Sequence, residues 1–530
     1  MHPRVKPGVL EDRLYQERIA ATAIDHNTLA VLPTGLGKTA IALRVMAESL
    51  LRQPTRSILF LAPTRPLVVQ HGRTVQESLF APPPLLLTGT VAPERRALLV
   101  DPPQVIVATP QVVQNDLLGR HFDLATLSLI VFDEAHRAVG DYPYVAIGRA
   151  NRDGLNVRVL AMTASPGSRI EQIKEVWANL GIERFEYRTA NDADVQPYIH
   201  GIGVETVEVE VPPEVRHLAV LLRAAVQRQG DALHRQGLAP APDVHRRDLL
   251  LLGERLRREV SAARRRGETG GASLWAAVTS HAIAMKAIHA LELIESQGVG
   301  SLRSFLQKQA DGPKGRPTPS SRGFLNDPDV LRVVEALRSL SLEHPKVAKV
   351  VEIVTGELAR APSSRVIVFA QYRQTAELLV TELERRGDDR VRPARFVGQT
   401  SHGPDAGLTQ KEQIALLDRF RSGDVNCLVA TSVAEEGLDI PSTDLVVFYE
   451  PVPDVVRTIQ RRGRTGRARA GRVIVLVAEG TRDVVLDRSA RAKERRMHAM
   501  LERVQEEAAR GPLPPPPAPP PVQSRLDEYP

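Results

Sequence analysis

The chain has 530 residues, of which 42% are hydrophobic and 25% are charged, and this length predicts two or three domains because single cores stop growing at roughly 250–300 residues. Its formal net charge of +7 favours a polyanionic partner, although the excess is small for the length. A single cysteine, Cys427, excludes a disulfide framework and a cysteine-based zinc site, and the lack of a signal-peptide core or of ~20 consecutive apolar residues predicts a soluble cytoplasmic protein.

From about residue 27 to residue 204, short β-rich runs alternate with helix-like patterns. The runs are LAVLP, SILFLAP, LLLTG, VIVATP, LSLIVFDE and VRVLAMTAS. Continuous apolar runs separated by helices are typical of a parallel sheet that is covered on both faces. We therefore predict an α/β domain over residues 1–204.

The first run leads into Leu-Pro-Thr-Gly-Leu-Gly-Lys-Thr at residues 32–39. In such a loop, backbone amides at a helix N-terminus surround phosphate groups, the lysine reaches the β/γ oxygens and the last hydroxyl binds Mg²⁺. The strict pattern has glycine at the position of Leu32, so the loop needs support from a second motif. The predicted nucleotide-binding residues are Pro33, Thr34, Gly35, Leu36, Gly37, Lys38 and Thr39, with Thr39 also a metal ligand.

The second motif is Asp133-Glu134-Ala135-His136, which directly follows the apolar run LSLIVF. Asp133 is predicted to hold the metal ion and Glu134 to polarise the attacking water. An acidic pair at the start of a helix would explain these residues if they stood alone. The strand before them and the phosphate loop upstream favour hydrolysis of a nucleoside triphosphate.

The segment 205–344 has no comparable series of strands and contains amphipathic helical runs such as VRHLAVLLRAAVQRQ. Its stretch RLRREVSAARRR, residues 255–266, has six arginines and one glutamate. This pattern predicts either a solvated helix face or a face that contacts nucleic acid. Residues 308–322, KQADGPKGRPTPSSR, are predicted to form a loop.

A second series of strands predicts another α/β domain over residues 345–505, with the runs RVIVFAQYR, CLVATS, DLVVFYEP and RVIVLVAEG. It contains Gln460-Arg461-Arg462-Gly463-Arg464-Thr465-Gly466-Arg467, in which closely spaced arginines would be costly inside a fold unless they meet anions. The tail, residues 506–530, contains after about residue 510 the proline tract PLPPPPAPPPV, which is typical of a stiff extended spacer.

These motifs, in this order, resemble those of superfamily 2 helicases. The matching words are RLYQ (13–16), LPTGLGKT (32–39), APTRPLVVQ (62–70), TG (88–89), TP (109–110), DEAH (133–136), TAS (163–165), VIVFAQYR (366–373), VATSVAEEGLDIP (429–441) and QRRGRTGR (460–467). More narrowly, TASPGSRIEQIKEVWANLGIERFEYRT, the following DVQPYI and GLTQKEQIALLDRFRSGDVNCLVATSVAEEGLDIP resemble the archaeal Hef helicases and their Fanconi-anaemia M relatives. This resemblance covers about residues 8 to 500 and implies two RecA-like domains with an inserted helical domain.

The resemblance also implies roles for individual residues. Gln16 would read the adenine edge with support from Arg13 and Tyr15, and Asp439 would meet the ribose. Lys38 and Glu134 would act in catalysis together with two arginine fingers, Arg464 and Arg467. His136, Thr163, Ser165 and Gln460 would couple hydrolysis to domain motion. Residues that would contact the nucleic-acid backbone are Pro63, Thr64, Arg65, Thr88, Gly89, Thr109, Pro110, Gln399, Thr400 and Thr431.

The favoured prediction is an ATP- and Mg²⁺-dependent DNA helicase or translocase that remodels branched DNA such as stalled forks and junctions. A duplex-RNA-dependent ATPase of the RIG-I and Dicer type and a nucleotide-switched scaffold without turnover are the alternatives. The chain lacks the Gly-Glu-Arg-Lys signature of the nuclease that Hef carries, so nuclease activity is not expected. Gln523, Leu526 and Tyr529 have the spacing of a sliding-clamp-binding box, for which a chance match in a disordered end is the alternative.

Overall fold

The computed structural model contains two parallel sheets with a helical segment between them in sequence. It describes residues 2–89, 91–99, 103–167, 169–189, 191–198, 202–267, 271–312, 315–398, 407–431, 442–452 and 471–510. The predicted residues that lie outside these ranges are Gln399, Thr400, Asp439, Gln460, Arg464, Arg467, Gln523, Leu526 and Tyr529. No helix within the described ranges combines the length and the apolar character that crossing a bilayer requires.

The first sheet has seven strands in the described residues, in the order β3-β4-β2-β5-β6-β1-β7, and every pairing is parallel. Its strands are β1 (Thr28–Val31), β2 (Ser57–Leu61), β3 (Leu85–Leu87), β4 (Val105–Ala108), β5 (Leu127–Phe132), β6 (Arg158–Thr163) and β7 (Arg184–Tyr187). The helices of this unit are α1 (Leu14–Asp25), α2 (Lys38–Arg52), α3 (Arg65–Ser78), α4 (Pro93–Leu99), α5 (Pro110–Leu118), α6 (Pro143–Gly154) and α7 (Ile170–Leu180).

The strands of this sheet are apolar throughout because both faces are covered. Along β2, Leu59 and Leu61 enter one hydrophobic core whereas Ile58 and Phe60 enter the other, on the opposite face. This alternation is the expected consequence of side chains that point to opposite faces at successive positions of a strand. The helices therefore occupy the two faces, and the loops that follow the strands are left to form the site.

The second sheet has the order β10-β11-β9-β12-β13-β8 and is also parallel. Its strands are β8 (Ile202–Val209), β9 (Val366–Phe369), β10 (Pro393–Phe396), β11 (Cys427–Ala430), β12 (Leu445–Phe448) and β13 (Gly471–Ala478). Helices α14 (Pro345–Arg360), α15 (Arg373–Arg386) and α16 (Gln410–Ser422) belong to this unit. β8 pairs with β13 from Ile202↔Gly471 to Val209↔Ala478, so the expected domain boundary at residue 204 falls inside a strand of the second sheet.

The segment between the two units is helical, as predicted. Its helices are α8 (Pro213–Arg235), α9 (Arg246–Arg265), α10 (Ala272–Ser296), α11 (Val299–Asp311), α12 (Pro319–Leu325) and α13 (Pro328–Ser339). The prediction of a loop over residues 308–322 was wrong at both ends, because α11 continues to Asp311 and α12 begins at Pro319. Thr318 starts α12 by accepting a hydrogen bond from Ser321 N at 3.1 Å, as an N-cap residue does.

A buried polar junction attaches this helical insertion to the second unit. Lys346, at the start of α14, forms an ion pair with Asp483, and both side chains are fully buried. Asp483 also accepts hydrogen bonds from Ser296 Oγ of α10 at 2.7 Å and from Ala478 N at 3.2 Å. Ser296 thus joins the end of α10 to the buried ion pair, and removing either member of that pair would leave an unpaired buried charge at a cost of about 3–5 kcal/mol.

The last described helix, α17 (Arg482–Arg510), connects the two units. It begins beside the buried junction, directly after β13, and continues toward the first sheet. There Met497, Leu501 and Val504 are buried within one of the two cores of that sheet. Tyr187 and His498 lie 2.6 Å apart between the hydroxyl oxygen and Nδ1, which adds a polar contact to the same interface.

Candidate functional site

The predicted phosphate loop lies between β1 and α2, at the edge where the strands of the first sheet end. Gly35 and Gly37 have φ values of +91° and +75°, in the left-handed region that favours glycine. A Cβ at Gly37 would come 2.4 Å from the side-chain nitrogen of Gln16, so a larger residue would have to displace that amide. No side chain caps α2, and an uncapped helix N-terminus is a place where an anion can bind.

The predicted adenine-binding residues on α1 pack against this loop. Tyr15 Oη and Gln16 Nε2 both donate to the carbonyl oxygen of Leu36, at 2.8 Å and 3.1 Å. The Arg13 guanidinium lies 5.3 Å from the ring centre of Tyr198, and this ring is 5.9 Å from that of Tyr15. Tyr198 was missed as a site residue, although the sequence word DVQPYI contains it. An aromatic ring and a guanidinium at this place could flank a planar base.

Asp133 and Glu134 follow β5, beside the loop that follows β1. Asp133 is held through its backbone, since its N donates to Leu61 O at 3.0 Å and its carbonyl accepts from Tyr144 Oη at 2.7 Å. Glu134 has a φ of +50°, which is uncommon outside glycine and concentrates at functional sites. The turn therefore places two successive carboxylates at the sheet edge rather than in the sheet.

The Glu134 carboxylate lies in a buried environment that keeps it charged. Its Oε2 is buried and lies 3.2 Å from His136 Nδ1, with which it forms an ion pair when the imidazole is protonated. The same nitrogen lies 3.0 Å from Thr163 Oγ1. Burial alone would raise the pKa of Glu134, but the nearby His136 and the charge of Lys38 outweigh burial and lower the pKa to about 2. Glu134 is thus ionised at neutral pH.

The residues predicted to couple hydrolysis to motion form a chain of contacts. Thr163 Oγ1 donates to Ser165 O at 3.0 Å, and Ser165 Oγ lies 3.1 Å from the sulfur of Met497. Because Met497 belongs to α17, the chain leads from His136 to the helix that connects the two units. Met497 was not predicted, since only the three-dimensional structure brings it next to Ser165.

The predicted nucleic-acid contacts of the first unit follow β2, β3 and β4, which are neighbours in the sheet. Thr109 N donates to Leu87 O at 3.1 Å, which brings the segment after β4 beside the segment after β3. Arg65 reaches the same place, because a Cβ built on Gly89 would lie 3.2 Å from its guanidinium. The three predicted segments Pro63–Arg65, Thr88–Gly89 and Thr109–Pro110 therefore lie at the same edge as the phosphate loop.

In the second unit, Thr431 is the one predicted site residue that falls within the described ranges. It follows β11, is buried and donates its backbone N–H to Phe396 O at 3.1 Å. It thus stands at the strand-ending edge of the second sheet.

Residues of the first unit fit Mg²⁺ and a nucleoside triphosphate. Thr39, in the first turn of α2, and Asp133 supply the hydroxyl and carboxylate oxygens that Mg²⁺ prefers. The Glu134 carboxylate, beside His136, can accept a hydrogen bond from a water molecule, and no side chain caps the start of α2, where a phosphate group would bind. Lys38 Nζ, which lies 3.2 Å from Leu32 O, begins α2 at the same place.

Three family models match the chain in separate segments. The model described as "DEAD/DEAH box helicase" matches residues 13–173, and the "Helicase conserved C-terminal domain" matches residues 345–469. Between them, residues 213–343 match the model described as "Putative ATP-dependent RNA helicase, helical bundle". The matched segments correspond to the first unit, the second unit and the helical insertion.

Solved and curated relatives extend this likeness over most of the chain. The crystal structure of the Pyrococcus furiosus Hef helicase domain is 42% identical with a TM-score of 0.70, covering 92% of this chain and 100% of that one. "Putative ATP-dependent RNA helicase MJ1505" of Methanocaldococcus jannaschii is 38% identical over 94% of this chain and 62% of its own length. "ATP-dependent DNA helicase mph1" of Sclerotinia sclerotiorum is 32% identical over 88% of this chain, which spans 40% of that protein.

Substitutions at Lys38 and Glu134 separate binding from hydrolysis. Glu134→Gln keeps the shape but removes the charge, so we expect ATP turnover to fall at least about 10²-fold while nucleotide affinity is retained. Lys38→Ala should weaken nucleotide binding as well, because the side chain that reaches the phosphates is removed. Fluorescent-nucleotide titration and a single-turnover ATPase assay measure the two effects. Glu77→Gln, at an exposed position of α3, is the matched control. Near-wild-type turnover by Glu134→Gln would remove this residue from its predicted role.

Proposed function

We propose that this chain, which belongs to the Hef and Fanconi-anaemia M family of DEAD/DEAH-box helicases, is an ATP-dependent translocase that remodels branched DNA. The main support for the proposal is that two sets of predicted site residues lie side by side along one edge of the first sheet. The predicted phosphate-loop and metal residues follow β1 and β5, with the coupling residues Thr163 and Ser165 at the end of β6, whereas the predicted nucleic-acid residues follow β2, β3 and β4. Hydrolysis at the nucleotide-binding half of the edge can therefore change how tightly the other half binds a nucleic acid.

The catalytic roles in this proposal belong to residues of both units. Lys38 and Thr39 hold phosphate and metal, Asp133 completes the metal site and Glu134 orients the attacking water. Bound Mg²⁺ neutralises the charge that develops on the phosphate oxygens. From the second unit, Arg464 and Arg467 are proposed as arginine fingers, Asp439 as the ribose contact and Gln460 as a coupling residue. These four residues lie outside the described ranges, so their placement is part of the proposal.

In this proposal, the protein contacts the phosphate backbone of the nucleic acid, and these contacts explain why it would select substrates by shape. Arg65 is exposed beside Gly89, where it can meet a phosphate group. Contacts to the phosphate backbone position a nucleic acid without reading its sequence, so the shape of the substrate must supply the selectivity. A branched DNA offers such a shape, since two duplex arms meet at one point. Gln399, Thr400 and Thr431 would extend the same backbone contact onto the second unit.

Duplex RNA is the second candidate substrate, because a helical-bundle family described as that of an RNA helicase covers the insertion. The names of the relatives are divided, since some are named DNA helicases and others RNA helicases. The chain spans between 35% and 64% of the length of five of these curated relatives. The activities of these longer proteins are therefore only proposals for this chain.

ATPase stimulation distinguishes the candidates. Hydrolysis is measured without nucleic acid and with forked DNA, linear duplex DNA and double-stranded RNA of matched length. We expect forked DNA to raise the rate several-fold more than linear duplex, because two arms offer more phosphate groups to the edge and the insertion. A larger response to double-stranded RNA would move the chain to the second candidate. Absence of turnover with every substrate would favour a nucleotide-switched scaffold.

The insertion provides a second test of DNA binding. On α9, the side chains of Arg257, Arg258, Arg264 and Arg265 are all exposed. Replacing these four arginines by alanine should flatten the salt dependence of binding, by roughly 0.9 in the logarithmic slope for each phosphate group that the protein no longer neutralises. Fluorescence anisotropy with fork and linear duplex, across a salt series, measures the slope.

A matched control comes from the same insertion. Arg332 and Arg338 on α13 are exposed and pair with acidic residues one turn away. Replacing them by alanine should leave the salt slope unchanged. If the four-alanine variant of α9 also keeps the wild-type isotherms on both substrates, its arginine-rich stretch is only a solvated helix face.

The tail provides a test of the clamp proposal. Gln523, Leu526 and Tyr529 would bind a sliding clamp, with leucine and tyrosine on one side of a helical turn and glutamine in a separate pocket. The proline tract before them would hold the box away from the helicase body. We expect peptide 511–530 to bind the host clamp in the micromolar range by fluorescence polarisation. Equal binding by a Gln523→Ala, Leu526→Ala peptide would contradict the assignment.

A further inference from the structure

A hydrogen bond joins the two halves of the strand-ending edge of the first sheet. His71 Nε2 of α3 lies 3.0 Å from Asp133 Oδ2, and the two side chains are only 7% and 11% exposed. A carboxylate that binds a metal ion is ionised and can only accept, so His71 must be the donor. The sequence offered no signal for this contact, because the recognised word APTRPLVVQ ends at Gln70.

The histidine controls the orientation of the carboxylate. Asp133 Oδ1 accepts from the backbone N–H of Glu134 at 3.0 Å, which holds one of the two carboxylate oxygens. The bond from His71 holds the other oxygen, Oδ2, so that the two contacts together fix the carboxylate plane. The imidazole is in turn held by Phe60 of β2, whose ring centre is 4.5 Å away. Partners of this kind set the direction in which a carboxylate presents its remaining lone pairs to a metal ion.

The position of His71 on α3 gives the contact a second consequence. α3 begins at Arg65, which the proposed function assigns to nucleic acid, and His71 lies six residues further along the same helix. At 1.5 Å per residue this separation is about 9 Å. α3 follows β2 and Asp133 follows β5, and these two strands are neighbours in the sheet. The helix thus has the nucleic-acid contact at its start and the partner of the metal-binding carboxylate two turns later.

We propose that His71 is a positioning residue that orients Asp133 for Mg²⁺, and that α3 transmits nucleic-acid contact at Arg65 to this carboxylate. The first half concerns the metal and nucleotide alone. The second half rests on the proposed function, since it requires a nucleic acid at Arg65. A displacement of α3 by a bound backbone moves the donor at His71 and therefore changes how Asp133 faces the metal ion.

Substitution of His71 tests the first half without any hydrolysis. His71→Leu removes the donor and fills much of the same space with an apolar side chain, whereas His71→Gln keeps a donor near the position of Nε2. In titrations of Mg²⁺ against a fluorescent ATP analogue, without nucleic acid, we expect the Leu variant to need roughly 10- to 100-fold more Mg²⁺ for half-saturation. The Gln variant should recover most of the wild-type value.

Controls separate this role from simple packing. His344→Leu removes another buried histidine, which hydrogen-bonds Glu295 O at 3.1 Å in the second unit, and should lower Tm without changing the Mg²⁺ requirement. If His71→Leu fails to fold, His71→Asn keeps a polar side chain that is too short to reach Oδ2 and should still show the raised requirement. An unchanged Mg²⁺ requirement in the folded variants, or a Gln variant as impaired as Leu, would overturn the positioning role.

The transmission half has its own measurement. For whichever nucleic acid stimulates the wild-type chain, the ratio of stimulated to basal ATPase is compared at saturating Mg²⁺. We expect His71→Leu to lose most of this stimulation and His71→Gln to keep it. A Leu variant with the wild-type ratio would overturn transmission through α3 and leave the Mg²⁺ result standing. Failure of every nucleic acid to stimulate the wild-type chain would instead contradict the proposed function, while the metal titration would still decide the first half.

Discussion

Parallel pairing of the strands is the constraint on which the site depends. In a parallel sheet every strand ends at the same edge, so the loops after β1, β2, β5 and β6 are necessarily neighbours. This brings Lys38 and Asp133 to one edge although about a hundred residues separate them in sequence. The buried apolar strands make that edge rigid, and this rigidity lets Glu134 hold an uncommon backbone conformation while its buried carboxylate stays ionised.

Contacts at both ends of the insertion attach it to the second unit. β8 precedes the insertion and adds an edge strand to the second sheet, while the buried pair of Lys346 and Asp483 joins the end of α10 to α14 and α17. An insertion held at both ends should move with the second sheet rather than independently. The exposed arginines of α9 would then be carried by the unit whose motion hydrolysis is proposed to drive.

The sequence predicted those elements, such as strands and tight loops, whose conformation depends on residues close together in the chain. The run LSLIVF is β5 in full, and the phosphate loop lies between a strand and a helix as its glycines required. The start of α12 was missed because proline and glycine around it suggested a loop, whereas Thr318 and Pro319 are a helix start. β8 and His71 could not be predicted, since each acquires its partner only in the fold: β13 lies more than two hundred residues away, and Asp133 follows another strand.

The structure also gives the predicted coupling residues a physical route. His136 Nδ1 lies 3.0 Å from Thr163 Oγ1 and 3.2 Å from Glu134 Oε2, so the imidazole contacts both the carboxylate and the first residue of the route. Thr163 donates a hydrogen bond to Ser165, whose hydroxyl lies 3.1 Å from the sulfur of Met497, a residue buried against the first sheet. α17 starts where the second unit meets the insertion. The route therefore leads to the part of the molecule that includes the arginine-rich helix α9. Each step is a direct contact, and none requires the two sheets to touch.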